Sequence, residues 1–164
     1  PQVQLSLDTF RPEVARLALE QFGSMIINDI SGGDESMWEI VHYWEIPYVW
    51  TLRGDFNLPA IHPERNQTNI ILDPGIGFTG SIESDFNCLR HLHTLRQYNR
   101  PILVGVSRKS MIYKPLGIST DESLTPTQVA QFYALEQGAT ILRTHDVKET
   151  MQTITLFELL NTNH

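Results

Sequence analysis

Apolar residues along this chain recur with two alternating periods, one of two residues and one of about 3.6. Val3, Leu5 and Leu7 alternate with polar neighbours and run into Asp8, which predicts a strand. Pro12 and Glu13 then open a segment with Val14, Leu17, Ala18 and Phe22 on one side and Gly23 as its stop, which predicts a helix. Met25 to Ile30 forms a second short apolar run. The loop SGGDES follows, where Asp34 and Glu35 read as solvated charge or as the start of the next helix, whose apolar positions are Met37, Ile40, Val41 and Trp44. Tyr48 to Leu52, Asn69 to Leu72, Ile102 to Val106 and Thr140 to Thr144 give four more strands. Three further helices are expected: Ser84 to Gln97, a segment opened by the capping box Thr125-Pro126-Thr127-Gln128 and closed near Gly138, and one starting at Asp146 with Glu149 three residues on. Trp38, Trp44 and Trp50 are expected to pack in the core or between helix and sheet.

Strands that alternate with helices imply a parallel sheet, because parallel neighbours need long crossovers. The fold class is α/β. In such folds, open or closed, chemistry collects at the carboxyl ends of the strands. Those ends read Asp8-Thr9, Asn28-Asp29, Asp73-Pro74, Ser107-Arg108-Lys109 and Arg143-Thr144-His145-Asp146. Each alone could cap a helix or start a turn. Five together predict a polar rim suited to a small heterocycle with donor and acceptor edges and an anionic substituent.

Charge narrows this reading. The net charge of -7 argues against nucleic acid as a partner, since phosphate-tracking surfaces need clustered Lys and Arg. With only 12 cations, the adjacent Arg108 and Lys109 stand out as a local anion site. No apolar stretch approaches the roughly 20 residues of a membrane span, and PQVQLSLDTF lacks the regions of a secretory signal, so a cytoplasmic location is expected. The single cysteine, Cys88, is expected to pack in a helix.

Two apparent motifs have plainer explanations. Gly75, Gly77 and Gly80 match the spacing of a dinucleotide fingerprint after a strand. That site also needs an acidic residue at the end of the next strand, where this chain has Ser107-Arg108-Lys109. The glycines are better suited to bringing a loop close to Asp73. His91 and His93 are two residues apart and so point to different sides of a helix, as surface residues do.

The segments LSLDTFRPEV, IINDISGG, ILDPGIGF, LVGVSRKSMI and ILRTHDVKET, in this order and spacing, resemble strands three to eight of the dihydropteroate synthase family of pterin-binding TIM barrels. The resemblance covers nearly all of residues 1–164, read as one partial barrel domain. It implies condensation of 6-hydroxymethyl-7,8-dihydropterin pyrophosphate with 4-aminobenzoate to give dihydropteroate and pyrophosphate, in folate biosynthesis. It also implies Mg2+ and a homodimer.

By the same resemblance, Asp8, Asn28 and Asp73 hydrogen-bond the pterin ring and Lys109 donates to its carbonyl side. Arg143 stacks on the pterin and reaches the pyrophosphate, with His145 as its partner there. Ser110 meets the aminobenzoate carboxylate, Phe78 closes over that substrate, and Arg108 joins the substrate-binding set. The chain also departs from the family. It begins at the third strand, so the first two strands and loops, with the asparagine associated with Mg2+, have no counterpart. DFNLPAIHPERNQTN replaces a loop and a long helix; PYVWTLRG, one residue longer, replaces a Met-His-Met segment; GFTG lacks the family's lysine. An inserted residue in a strand flips side-chain facing beyond it. Six strands would leave two open edges. A non-catalytic pterin-binding relative is one alternative. A pterin-binding methyltransferase domain is another, although such an enzyme has no pyrophosphate for SRKS and Arg-x-His-Asp to bind.

Overall fold

The computed structural model describes residues 3–56 and 69–161. Its elements run β1 (Ser6–Asp8), α1 (Pro12–Phe22), β2 (Ile26–Asp29), α2 (Glu35–Trp44), β3 (Tyr48–Thr51), β4 (Ile70–Asp73), α3 (Ile82–Arg90), β5 (Leu103–Val104), α4 (Ser110–Leu116), α5 (Leu124–Glu136), β6 (Ile141–Leu142) and α6 (Val147–Asn161). All strand pairs are parallel and neighbours follow chain order: β1-β2-β3-β4, then β5-β6, joined by the bridge Leu72 to Ile102. Among the described residues β1 and β6 each pair on one side only, as expected for an incomplete barrel wall. Most of the expected crossover between β3 and β4 lies outside the described residues.

The sheet buries both faces. Toward the helices lies the main core, which includes Leu19, Ile27, Met37, Trp38, Tyr48, Ile70, Leu72, Val104 and Met111. On the other face Val49, Ile71 and Leu103 pack with Ile26 and Ile141 as a separate layer, one residue from each of five strands. This second layer is the inside of the barrel wall. Trp38 meets Tyr48 and Trp50 edge-on at 4.8 and 5.2 Å between ring centroids, between α2 and the sheet.

Several local expectations need correction. In α1 the buried residues are Ala15 and Leu19, whereas Val14, Leu17 and Phe22 are exposed, so part of the apolar pattern faces an uncovered side. The helix expected over Ser84 to Gln97 is two pieces. It begins under the Ser81 cap, ends at Arg90, and continues as a 3-10 helix over Leu92–Tyr98. His91 Nδ1 contacts the Asn87 carbonyl and Thr94 Oγ1 donates to the His91 carbonyl, so side chains compete for the backbone where the helix changes. Leu92 and Leu95, buried three apart, fit a three-residue turn.

The expected capping box at Thr125 is also displaced. Glu122 Oε2 accepts from Ser119 N and Ser119 Oγ, and Glu122 N donates back to Ser119 Oγ, one turn before α5. Asp34 is not loop charge: it caps α2, accepting from Met37 N at 2.8 Å. Cys88 is buried in α3, where burial pushes its thiol up to about 12.

Candidate functional site

Side chains in a strand alternate between faces, so the residue two beyond each inner-layer position also faces the barrel interior. From Ile26, Val49, Ile71, Leu103 and Ile141 that step leads to Asn28, Thr51, Asp73, Gly105 and Arg143. Asp8 stands opposite Asn28 in the ladder. One layer of the barrel therefore carries the ring-contact residues expected from sequence, with Thr51 and Gly105 added.

Arg143 closes this layer. Its guanidinium donates to Asn28 Oδ1 at 2.9 Å and to Asp73 Oδ2 at 3.0 Å. It reaches across Gly105, where an added Cβ would lie 3.0 Å from Arg143 Nε. The missing side chain is what admits the cation. Asp73 is buried, and an unpaired carboxylate there would be costly; the ion pair with Arg143 and the bond from Gly75 N at 2.8 Å supply its partners. Gly75 has φ +79°, and a Cβ there would meet Arg53 N at 2.6 Å. The glycines after β4 thus bring the loop against Asp73, as read from the sequence.

Lys109 enters from the β5 loop. Its Nζ donates to the Ile76 carbonyl and lies 5.4 Å from the Phe78 ring centroid, a cation over an aromatic face. Burial pushes the Lys109 ammonium below the ordinary lysine value, and the nearby Asp73 partly offsets this. Phe78 is 41% exposed at the rim. Its loop is held by Asp85, whose carboxylate accepts from Gly77 N and Thr79 Oγ1, both at 2.7 Å. Sequence reasoning missed Asp85, an acid in the first turn of α3 that reaches back to the preceding loop.

Ser110 is the first residue of α4. Beside it Ser107 Oγ lies 3.0 Å from His145 Nδ1 and accepts from His145 N at 3.2 Å, tying the β5 loop to the β6 loop.

Arg108 does not join the inner layer. It adopts φ +54°, its N–H donates to Thr127 Oγ1 at 3.2 Å, and its guanidinium grips Asp146 by two bonds of 3.0 and 2.7 Å. Asp121 lies 3.6 Å away. A left-handed non-glycine residue is uncommon, and here it turns Arg108 away from the direction of Lys109. Asp29, adjacent to Asn28, also serves the fold: on the outer face it accepts from Tyr48 Oη at 2.8 Å and from Ser31 N at 2.7 Å. His91 and His93 are exposed and bond to different partners, Asn87 and Gln137.

The sequence model of the pterin binding enzyme family matches residues 1–54 and 62–145. The dihydropteroate synthase of Escherichia coli K12 is 30% identical over 186 residues, an alignment that covers 96% of this chain and 64% of the relative. The Streptococcus pyogenes enzyme of the same name is 29% identical and covered over 67% of its length. The present chain thus spans about two thirds of the relatives it matches. Among solved structures, dihydropteroate synthase from Xanthomonas albilineans in complex with 7,8-dihydropteroate superposes with a TM-score of 0.84 at 28% identity, covering 99% of this chain and 70% of that one. The Thermus thermophilus enzyme in complex with 6HMPPP gives 0.81 at 28% identity, with 96% and 70% covered. These matches agree with a TIM-barrel wall of six strands whose carboxyl ends carry the polar layer. The chain belongs to the pterin binding enzyme family.

Proposed function

We propose that this chain is the pterin-binding portion of a dihydropteroate synthase, which joins 6-hydroxymethyl-7,8-dihydropterin pyrophosphate to 4-aminobenzoate. The observation that carries this reading is the convergence of Asn28, Asp73 and Arg143 on one inner layer, with Lys109 at its rim. Asn28 Oδ1 and Asp73 accept hydrogen bonds from the Arg143 guanidinium. A pterin presents a comparable edge, an amino group beside a ring N–H, and can take that place. Arg143 is then released toward the pyrophosphate, where His145 offers a second donor. The carbon–oxygen bond to pyrophosphate breaks with its electron pair leaving on oxygen. The aminobenzoate nitrogen bonds to the freed methylene carbon and loses a proton. The protein's part is to stabilise departing charge and hold the amine in place.

Ser110 at the start of α4 suits the aminobenzoate carboxylate, and Phe78 suits its ring. Asp8 completes the ring contacts from β1. Arg108 serves this site by holding the β5 and β6 loops together through Asp146. Among the described residues no group of three His, Cys, Asp or Glu side chains is placed to hold a metal, so Mg2+, which usually binds through one or two carboxylates and substrate phosphates, would depend on the pyrophosphate for most of its ligands. No described helix is long and apolar enough to cross a membrane. Residues 1–164 as one partial domain, a cytoplasmic location and a homodimer belong to the same proposal. The apolar Val147, Met151, Leu156, Leu159 and Leu160 exposed along α6 support a covered surface there.

Release of pyrophosphate, coupled to a colorimetric assay with both substrates present, tests the reading. Turnover that requires 4-aminobenzoate supports it. Tight pterin binding without turnover favours a second reading, a binding-only relative.

A further inference from the structure

We propose that the Thr51 hydroxyl is a ligand-binding group of the inner layer, a hydrogen-bond partner for the polar edge of the bound heterocycle. This rests on the pterin-binding reading above. Thr51 is directly paired with Asp73 in the β3–β4 ladder, and Val49 is paired with Ile71, so the two strands stay in register to the rim. Val49 belongs to the inner layer. Thr51, two residues on, therefore faces the interior beside the buried Asp73 carboxylate.

The side chain is 2% exposed, yet its Oγ1 has no hydrogen-bond partner among the described residues. Its methyl is the group turned to the neighbouring loop, lying 3.1 Å from where a Cβ on Gly75 would sit. The hydroxyl is left over. A buried hydroxyl without a partner is uncommon and unfavourable, and a position that served only packing would be better filled by valine. Its neighbours on this layer are committed: Asp73 binds Gly75 N and Arg143, and Asn28 binds Arg143. Thr51 keeps an unused donor and acceptor next to the place Arg143 occupies. A ring that displaces Arg143 from Asp73 brings polar edge atoms to the side of that hydroxyl.

Calorimetric titration of 6-hydroxymethylpterin into the wild-type chain, Thr51→Val and Thr51→Ser, with thermal melts of each free protein, tests this. Valine should weaken binding about tenfold and serine by no more than about threefold, as loss and retention of one hydrogen bond require. The free Thr51→Val protein should melt no lower than wild type. Wild-type binding matched by Thr51→Val overturns the inference while leaving the pterin reading intact. So does equal loss in the serine variant, which would trace the effect to the methyl group. A valine variant that melts well below wild type also overturns it, because the hydroxyl then serves the fold. Absence of pterin binding by wild type overturns the underlying reading as well.

Discussion

Arg143 and Asp73 form an ion pair of 3.0 Å across the inside of the barrel wall, between the last strand and the fourth. The same guanidinium donates to Asn28, so one side chain occupies both groups proposed to bind the pterin ring. On the proposed reading a pterin takes the place of that side chain, and an anion that draws Arg143 outward should assist. In Arg143→Gln, the affinity advantage of pterin pyrophosphate over plain pterin should shrink about tenfold or more, the worth of a lost charge-assisted contact. Parallel isothermal titrations of the two ligands measure it; an unchanged advantage removes Arg143 from the pyrophosphate's surroundings.

The same substitution should destabilise the free protein. Asp73 is buried and would lose its cation, although Arg143 is 39% exposed and solvent screens the pair from that side. A loss of about 1–3 kcal/mol is expected, below the figure for a wholly buried pair. Urea unfolding at neutral pH reads it directly.

Lys109 should impose an alkaline limit on pterin binding. Burial lowers its folded-state value below the ordinary 10.5, so an ammonium proposed to donate to the pterin is lost at lower pH than in an exposed lysine. Affinity should therefore fall as pH rises through that lowered value, and Lys109→Met should bind weakly with no such limb. Stability of the free protein has the opposite sign. Between the folded and unfolded values the unfolded chain holds more protons, so the penalty of burying this charge is present below the folded value and relieved as pH rises. Titrations across the alkaline range show whether the affinity limb belongs to Lys109.

Asp146 should mark an acid limit in the loops. Its hydrogen bond to Arg108 holds the carboxyl below the ordinary 3.8. A depressed carboxylate contributes stability that is present above the unfolded value and lost as pH falls through the folded one. Asp146→Asn should melt below wild type at neutral pH, and the two melting curves should converge in strong acid. A gap that persists there would mean that the asparagine disturbs packing instead.

The strands and the polar ends were legible because each ends an apolar run at a chemically distinct residue, as Asp8, Asn28 and Asp73 do. Thr51 escaped notice because threonine is an ordinary strand residue; only register with Asp73 and an orphan hydroxyl distinguish it. Arg108 and Lys109 are adjacent in sequence, and adjacency says nothing of direction when the backbone passes through φ +54°. The α1 pattern was misplaced for a different reason. Val14, Leu17, Ala18 and Phe22 follow one another at helical spacing, but the described residues leave Val14, Leu17 and Phe22 exposed.

Gly105 lies under the Arg143 guanidinium. An alanine there would place its methyl 3.0 Å from Arg143 Nε and 3.1 Å from Nη2, contacts too close to keep. The obstructed group is the end of a long side chain, so the chain should fold while Arg143 shifts off Asn28 and Asp73. A cost of about 1–3 kcal/mol is expected, typical of an added methyl in a filled site. If that cost runs through Arg143, it should largely disappear when the guanidinium is already gone. In an Arg143→Ala background Gly105→Ala should be close to neutral, giving a coupling energy of about 1 kcal/mol or more in a double-mutant cycle. Additive losses would show instead that β5 itself cannot accept a side chain at this point, and that Gly105 is kept for the strand and not for the cation that crosses it.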